Sequence, residues 1–580
     1  MEYQIIKNGR SNFHIVTSQF AQYGELFAAS ELQKYIYKST DVLIPYFSDR
    51  CPKRGSEICI GLQARDARKW IDDSELIGLG DEGYIIKTID EDILIAGNTP
   101  RATIYGVYSF LEKFLGFRCF TKDIEKIDKK TELILNDMLV VEKPAFEYRE
   151  AYFRFAFEGD FAVKNKMNAN LAPIPIEKGG HTKWYNCHHS FCDLIPPKYY
   201  WESNPEYYAY IDGKRNPTQP CLSNADVLSI VIDGVKKWIK ENPNCKVFSV
   251  AQNDNQGYCQ CPKCREVDER EQSPSGSIIN FVNKVAEEVE KDYPDVLIHT
   301  FAYQYSRKAP KYVKPRRNVI VRLCNIECPR GKAFEDYEEC ESEQAKYAVE
   351  FVQNIKDWSQ ICQRLYIWDY AVNFRFYLQP FMSFRQMAKN IRLYQRYGIQ
   401  GVLEQGNFSY GGGAALDDLK SYVIAKLLWD PNLNEEELID EFLNCVYGKG
   451  APYIREYIDL IRTAQTEFSI YDFPDKEYFT DALLAKSFEL FEKAKQATGN
   501  VEIRQRIDRE SLSVEFVKIC KMEDEKEREK ATDIFSKKVI EHKLTEIAER
   551  TNLYDSFEYM KKSQYSKRRD GHYSLYYVIK

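Results

Sequence analysis

The hydrophobic pattern along the chain changes rhythm twice. Over residues 1 to 125, short apolar runs (FHIV, VLIPYF, EICIGL, GYIIKT, DILIAG) are interleaved with amphipathic stretches such as Phe20 to Tyr37. Compact apolar runs bounded by turn residues predict strands, and recurrence every three to four positions predicts helices. After Ala102, residues Ile104, Val107, Tyr108, Leu111 and Phe114 recur at helical spacing, with Gly116 as a stop. Residues 1–125 therefore read as a small α/β domain.

From Pro144 the period lengthens to strand, helix, strand. Strand positions fall at Phe146 to Tyr152, Met167 to Ala172, near His181 or between Tyr207 and Ile211, then at Val247 to Ala251, Val296 to Ala302, Val319 to Leu323, Leu365 to Trp368 and Gly401 to Leu403. Between them, Ile278, Phe281, Val282, Val285 and Val289, and later Phe384, Met387, Ile391 and Tyr394, mark helices. Eight strands alternating with helices predict a (β/α)8 TIM barrel over residues 140–415, because right-handed crossovers leave few other arrangements. Beyond Leu416 the strand signals stop. Helical patterns near 435, with Asn434 as N-cap, and through 479–497, 501–521 and 525–550 predict a helical region over 416–580 that ends in a tail rich in Tyr, Lys and Arg.

Composition narrows the class. A chain of 580 residues with 44% hydrophobic and 29% charged residues is globular and too long for one core. No run is long enough to cross a membrane. A net charge of −7 with both signs interspersed offers no basic face for nucleic acid. The amino terminus shows no secretory pattern and the 16 cysteines are scattered, which together favour a cytoplasmic location, or a secreted chain whose leader was trimmed. The 41 Tyr and 33 Phe serve mainly as core, and such rings also suit sugar-binding clefts.

Catalytic groups of a parallel α/β barrel gather at the carboxyl ends of its strands. Here those ends carry Asn253, Asp254 and Asn255; Tyr303, Gln304 and Tyr305; Cys324, Asn325 and Glu327; Trp368, Asp369 and Tyr370; and Glu404, Gln405 and Asn407. A single acid at a strand end is usually a cap or an ion-pair partner. Four acids on one face, Asp254, Glu327, Asp369 and Glu404, predict carboxylate acid/base catalysis. Glycosidic cleavage needs one protonated and one ionised carboxyl in different surroundings. Asp369, between Trp368 and Tyr370, suits the protonated role, and Asp254, between two amides, suits the ionised one. Asn253, Asn255, Tyr303, Trp368, Tyr370 and Asn407 are the expected substrate contacts. Arg149, near the end of the first barrel strand, could meet an acidic sugar, although a salt bridge is the commoner use.

Cys259, Cys261 and Cys264 form C-x-C-x2-C, three corners of a tetrahedral zinc site that Cys221 or Cys324 would complete. Such a site would be structural, and the alternatives are free buried cysteines or, in secreted relatives, a disulfide. No cofactor is expected for the chemistry itself.

The run GNTPRATIYGVYSFLEKFLGFRCF, 97–120, resembles the strand, helix and exit that close the amino-terminal domain of α-glucuronidases and family 20 β-hexosaminidases, where that domain precedes a catalytic barrel. CHHSFCDLIPPKYYW, QNDNQGYCQCPKC, FAYQYSRKAP, VIVRLCNIEC, YIWDYAVNF and GVLEQGNFSYGGG resemble the family known as domain of unknown function 4838, over roughly residues 1–460. That family is grouped with glycoside hydrolase family 163, endo-acting β-N-acetylglucosaminidases. The resemblance implies an acidic pair after the fourth strand, one residue steering the substrate's acetamido group and the next acting as acid/base. The matching positions here are Asp254 and Asn255, so the second acid is missing. It also implies a functional histidine, matched best by His189 in His189-Ser190-Phe191, with His181 and His188 nearby. The expected activity is hydrolysis of a glycan containing a β-linked N-acetylhexosamine or a uronic acid. The competing expectations are a carbohydrate-binding protein on a barrel that has lost catalysis, and a zinc-stapled interaction scaffold.

Overall fold

The computed structural model describes residues 1–408, 411 and 413–562. The expected tail lies largely outside these residues, as do Ser409, Tyr410 and Gly412 of the GVLEQGNFSYGGG run.

The amino-terminal α/β domain is a six-stranded mixed sheet. Its spatial order is Leu139–Glu142, Tyr84–Ile89, Asp92–Gly97, Ser56–Ile60, Phe13–Thr17, Tyr46–Ser48. Helices Tyr23–Thr40 and Pro100–Leu115 cover one face. The second helix begins where the Thr99 side chain accepts from the Ala102 N–H at 3.2 Å and ends at Gly116, whose φ of 62° lies in the left-handed region that glycine tolerates. The sheet takes its edge strand, Leu139–Glu142, from beyond residue 125.

The central region is a parallel, TIM-like half-barrel of seven hydrogen-bonded strands. In order around it are Tyr148–Tyr152, Gly401–Gln405, Leu365–Tyr370, Val319–Cys324, Leu297–Ala302, Val247–Ser249 and Trp184–Tyr185. The strand expected at Met167 to Ala172 does not form. Two asparagines there offer their side chains in place of a backbone ladder: Asn168 Oδ1 accepts from Arg149 N at 3.1 Å and Asn170 Oδ1 accepts from Trp184 N at 2.8 Å. The first and last strands are thus bridged by amides that compete with backbone pairing, as asparagine readily does. The third strand is Trp184–Tyr185. The alternative at Tyr207 to Ile211 instead forms an antiparallel hairpin, Tyr208–Ile211 with Lys214–Pro220, outside the barrel.

Side chains alternate along each strand, so one set fills the lumen. Tyr148, Trp184, Ile320, Tyr366 and Leu403 pack together there, with Tyr148 and Trp184 rings 5.0 Å apart. Helices Ser275–Asp292 and Phe384–Arg396 bury the residues that the periodicity singled out. Helix Asp417–Trp429 is buried almost throughout and lies against the first barrel strand: Ala145 N donates to Trp429 O at 3.0 Å. In packing it therefore belongs with the barrel. Helices Glu435–Tyr447, Ala451–Ala464, Asp481–Gln496, Val501–Cys520, Glu525–Glu541 and Leu553–Lys561 make up the carboxyl-terminal helical region. Asn434 caps the first of them, accepting from Glu436 N at 3.0 Å. The pattern expected to stay helical to 550 stops at Glu541 and gives way to a small ladder, Glu546–Ala548 with Thr551–Asn552.

Glu82 joins the sheet domain to the barrel. It pairs with Arg101 at 2.6 Å and Arg149 at 2.7 Å and accepts from Asn168 Nδ2 at 2.8 Å. Burial alone would raise its pKa, but the two guanidinium groups outweigh burial and hold the carboxyl below its ordinary value.

Candidate active site

The carboxyl ends of the strands form a ring-walled mouth. After Val247–Ser249 the chain leaves the ladder and Asp254 stands with its side chain 45% exposed. The Tyr303 hydroxyl donates to Asp254 Oδ1 at 3.1 Å and itself accepts from Gln304 Nε2 at 3.0 Å. His189 donates from Nδ1 to the Gln252 carbonyl at 2.6 Å, which leaves Nε2 3.9 Å from Asp254 Oδ1. Burial draws this imidazole below its ordinary pKa, against the pull of Asp254. Phe301 and Tyr303 flank His189 at 5.2 and 5.8 Å between ring centroids. Trp368, half-buried, forms part of the floor, with Nε1 donating to Gln405 Oε1 at 2.7 Å and Phe301 edge-on at 5.8 Å. Burial raises the Tyr370 hydroxyl well above its ordinary value, and Cys324, Tyr303 and Glu327 add to the rise. Arg307 donates to Glu327 at 2.9 Å.

Asn253 and Asn255 flank Asp254, but their side chains are already engaged. Asn253 Nδ2 and Asn255 Nδ2 both donate to the Thr218 carbonyl, at 2.8 and 3.1 Å. They shape the loop rather than face a ligand.

Four expected site residues lie elsewhere. Asp369 and Glu404 do not join Asp254. In a strand successive side chains point to opposite faces, and the neighbours Tyr366, Trp368, Leu403 and Gln405 hold the lumen side. Asp369 and Glu404, cross-strand partners, therefore point outward beneath helix Phe384–Arg396. There Asp369 is ion-paired with Arg330 and accepts from the Tyr394 hydroxyl, and all four groups are buried. The expected roles reverse. Asp369 is the ion-paired member, while burial and the adjacent Asp369 raise Glu404 well above the ordinary carboxylate value, only partly opposed by Arg330. Arg149 points outward too: it is wholly buried against Glu82, the Lys166 and Phe146 carbonyls and the Trp429 ring. Asn407 is buried and donates to Asp417 at 3.2 Å, tying the eighth strand's exit to the helix that follows.

Three lumen residues escaped the sequence reading. Arg322 is fully buried, stacked 4.3 Å over Trp184, and its three guanidinium nitrogens make no hydrogen bond among the described residues. Burial pushes the Glu150 carboxyl up to about 7, despite a bond from the Tyr148 hydroxyl and the nearness of Arg322. Burial also pulls the His299 imidazole well below its usual value, with Arg322 adding to the effect, while Ser249 holds its Nδ1 at 2.9 Å. The signal was available for two of them: Arg322 is the one charged residue in the run VIVRL and His299 the one titratable residue in VLIHTFA, whereas Glu150 sits among Glu147 and Arg149 in FEYREAY and does not stand out.

The fourth cysteine position is settled by geometry. Cys221 joins Cys259, Cys261 and Cys264, all buried, whereas Cys324 packs with Ala251, Phe301 and Tyr303 at the mouth. This cluster could bind a structural metal.

A parallel half-barrel behind an α/β domain, with aromatic rings around open carboxylates, is a glycoside-hydrolase-like architecture. The chain belongs to the family of the domain of unknown function DUF4838, whose profile matches residues 119–459. Residues 1–110 match the glycosyl hydrolase family 67 N-terminus. Among solved structures, a family GH115 4-O-methyl-α-glucuronidase with specificity for decorated arabinogalactans is similar at TM-score 0.58 and 12% identity, covering 99% of this chain and 81% of that one. A GH84 structure (0.43, 9% identity, 97% and 96% coverage) and a GH138 enzyme targeting pectin rhamnogalacturonan II (0.42, 10%, 95% and 74%) are more distant. None of the curated proteins matches the chain.

Proposed function

We propose that the protein hydrolyses a glycosidic bond in a glycan carrying a β-linked N-acetylhexosamine or a uronic acid, with Asp254 as the acid/base carboxyl. The observation that carries this reading is that Asp254 is the most exposed of the four expected acids, at 45% against 27% for Glu327, and accepts from a neutral donor, the Tyr303 hydroxyl, rather than being tied up in a close ion pair with a guanidinium. A proton donor at the leaving oxygen and a charged group near the anomeric carbon are what such cleavage requires. Glu327, part-exposed and paired with Arg307, is the second carboxylate and takes the charged role. Trp368 and Tyr303 offer ring faces to pyranose C–H groups, and His189 Nε2 faces the substrate side of Asp254. No cofactor enters the chemistry, and the four-cysteine cluster is a structural zinc site rather than a source of reacting groups.

The test is turnover against a panel of chromogenic β-N-acetylhexosaminides and uronides together with released N-glycans. Turnover that falls by about 10²-fold or more in Asp254→Asn, with glycan binding retained, supports the reading. Binding without turnover in the unaltered protein favours the second one, a carbohydrate-binding barrel. The observation on that side is that Asn255 occupies the position of the family's second acid and is committed to Thr218.

A further inference from the structure

We propose that Cys221, Cys259, Cys261 and Cys264 hold a tetrathiolate zinc ion that fixes the loop carrying Asp254. The four Sγ atoms lie within 4.8 Å of one another, and all four residues are buried. Cys221 Sγ is 3.7 Å from Cys261 Sγ and 4.0 Å from Cys264 Sγ. A tetrahedron with Zn–S bonds of about 2.3 Å has sulfur–sulfur edges of about 3.8 Å. Disulfide sulfurs are about 2.05 Å apart, so the spacing fits a shared cation and not a bridge.

The surroundings are those of a charged cluster rather than of four apolar thiols. The Tyr210 N–H points at Cys259 Sγ from 3.3 Å. The Ser223 hydroxyl oxygen is 3.5 Å from Cys261 Sγ and 3.3 Å from Cys264 Sγ, and the Arg215 guanidinium faces Cys221. Zn(S⁻)4 carries two negative charges, which these donors offset. Uptake of the ion by the reduced protein sends the thiol protons to solvent, so occupancy rises with pH. Four sulfur ligands with no open corner suit zinc in a structural role.

Sequence order gives the ion its purpose. Cys221 directly follows the hairpin strand Lys214–Pro220, and Cys261 is the N-cap of helix Pro262–Glu271. Between these anchors, Asp254 is held on both sides by the hairpin. Gln219 exchanges bonds with the Asn253 backbone, accepting from N at 2.9 Å and donating to O at 2.8 Å, while Thr218 O receives the Asn253 and Asn255 amides. Gly257 lies so close to the Thr218 side chain that a Cβ there would collide with it. Hairpin and loop thus form one unit, and the ion joins its two ends a few residues from the carboxylate. Without the ion, four reduced thiols hold that junction, and the bond from Tyr303 to Asp254 loses its fixed geometry. Only the consequence for substrate rests on the hydrolase reading. The site itself does not.

The test uses the full chain, purified under reducing conditions without a metal-affinity step, supplemented with zinc and dialysed. Elemental analysis is expected to give about one zinc per chain, released by a mercurial reagent that titrates these thiols. Cys264→Ser is expected to cut the zinc content about tenfold or more. Hydrogen exchange at the backbone amides of residues 252–258 is expected to quicken about tenfold when zinc is removed, while amides of Val319–Cys324 keep their protection. Less than about 0.1 zinc per chain in the unaltered protein, or iron in its place, overturns the site. Zinc present with unchanged exchange over 252–258 overturns its role in the loop. If Cys264→Ser does not fold, the zinc content and mercurial release of the unaltered chain still decide. Metal content and exchange are read without any substrate, so a protein that binds zinc but turns over no glycan refutes the hydrolase reading alone.

Discussion

Asp254 stands at the open mouth of the half-barrel beside Tyr303 and His189, and Glu327, also part-exposed, pairs with Arg307. Asp369 and Glu404 lie on neighbouring strands but behind the wall, where Arg330 and Tyr394 enclose them. Asp254 and Glu327 lie in the loops that follow Val247–Ser249 and Val319–Cys324, whereas Asp369 and Glu404 are still inside Leu365–Tyr370 and Gly401–Gln405. Inside a strand direction decides: a one-residue step moves a carboxyl from the lumen side of the sheet to the helix side. The first pair is open to solvent, and the second holds sheet to helix.

The comparison can be broken most sharply through the enclosed pair. Asp369→Ala leaves Arg330 buried without its counter-ion and is expected to cost about 3–5 kcal/mol of stability, read from urea unfolding. A loss below 1 kcal/mol would mean that the pair is not structural. A smaller effect comes from the lumen. The native pKa of Glu150, about 7, lies above its unfolded value, so the folded state binds more protons between the two, and stability falls as pH rises through that window. A rise of this size corresponds to about 3 kcal/mol, present as a penalty above pH 7 and absent below the unfolded pKa, and Glu150→Gln is expected to flatten the profile. Glu82 has the opposite sign. Its lowered native pKa means that its contribution is fully present above the unfolded value and is lost as pH falls through the native one. The difference in urea midpoint between Glu82→Gln and the unaltered protein should therefore be large at pH 7 and shrink in acid. The smallest expected effect is at the seam. Asn168→Ala removes side-chain bonds to Arg149 N, the Glu147 carbonyl and Glu82, and should cost about 1–3 kcal/mol without altering the strand order.

Much of the architecture was legible because buried parallel strands are written as compact apolar runs and their helices as clean periodic stripes. Six of the eight strand positions were read directly, and the third was placed only near His181. The second failed because MNANLA carries two asparagines whose side chains took over the ladder's work, which periodicity does not register. The C-x-C-x2-C spacing pointed to a metal cluster, and only the fold could choose Cys221 over Cys324. Asp369 and Glu404 were misplaced because sequence neighbours such as Trp368 and Asp369 look like company and are back to back in a strand. Arg149 was misplaced for the same reason, between the lumen residues Tyr148 and Glu150. Conversely, Arg322 and His299 sat in plain view inside the apolar runs VIVRL and VLIHTFA, where a buried polar group announces a lumen rather than a surface, while Glu150 was hidden among Glu147 and Arg149.

The most direct measurement sets one carboxyl from each pair against the other. On any glycoside that the protein cleaves, kcat of Asp254→Asn should fall by about 10²–10⁴-fold with binding retained, while Glu404→Gln, a near-isosteric change behind the barrel wall, should stay within about threefold of the unaltered protein. Loss of turnover in Glu404→Gln at unchanged stability, with Asp254→Asn still active, would contradict the account.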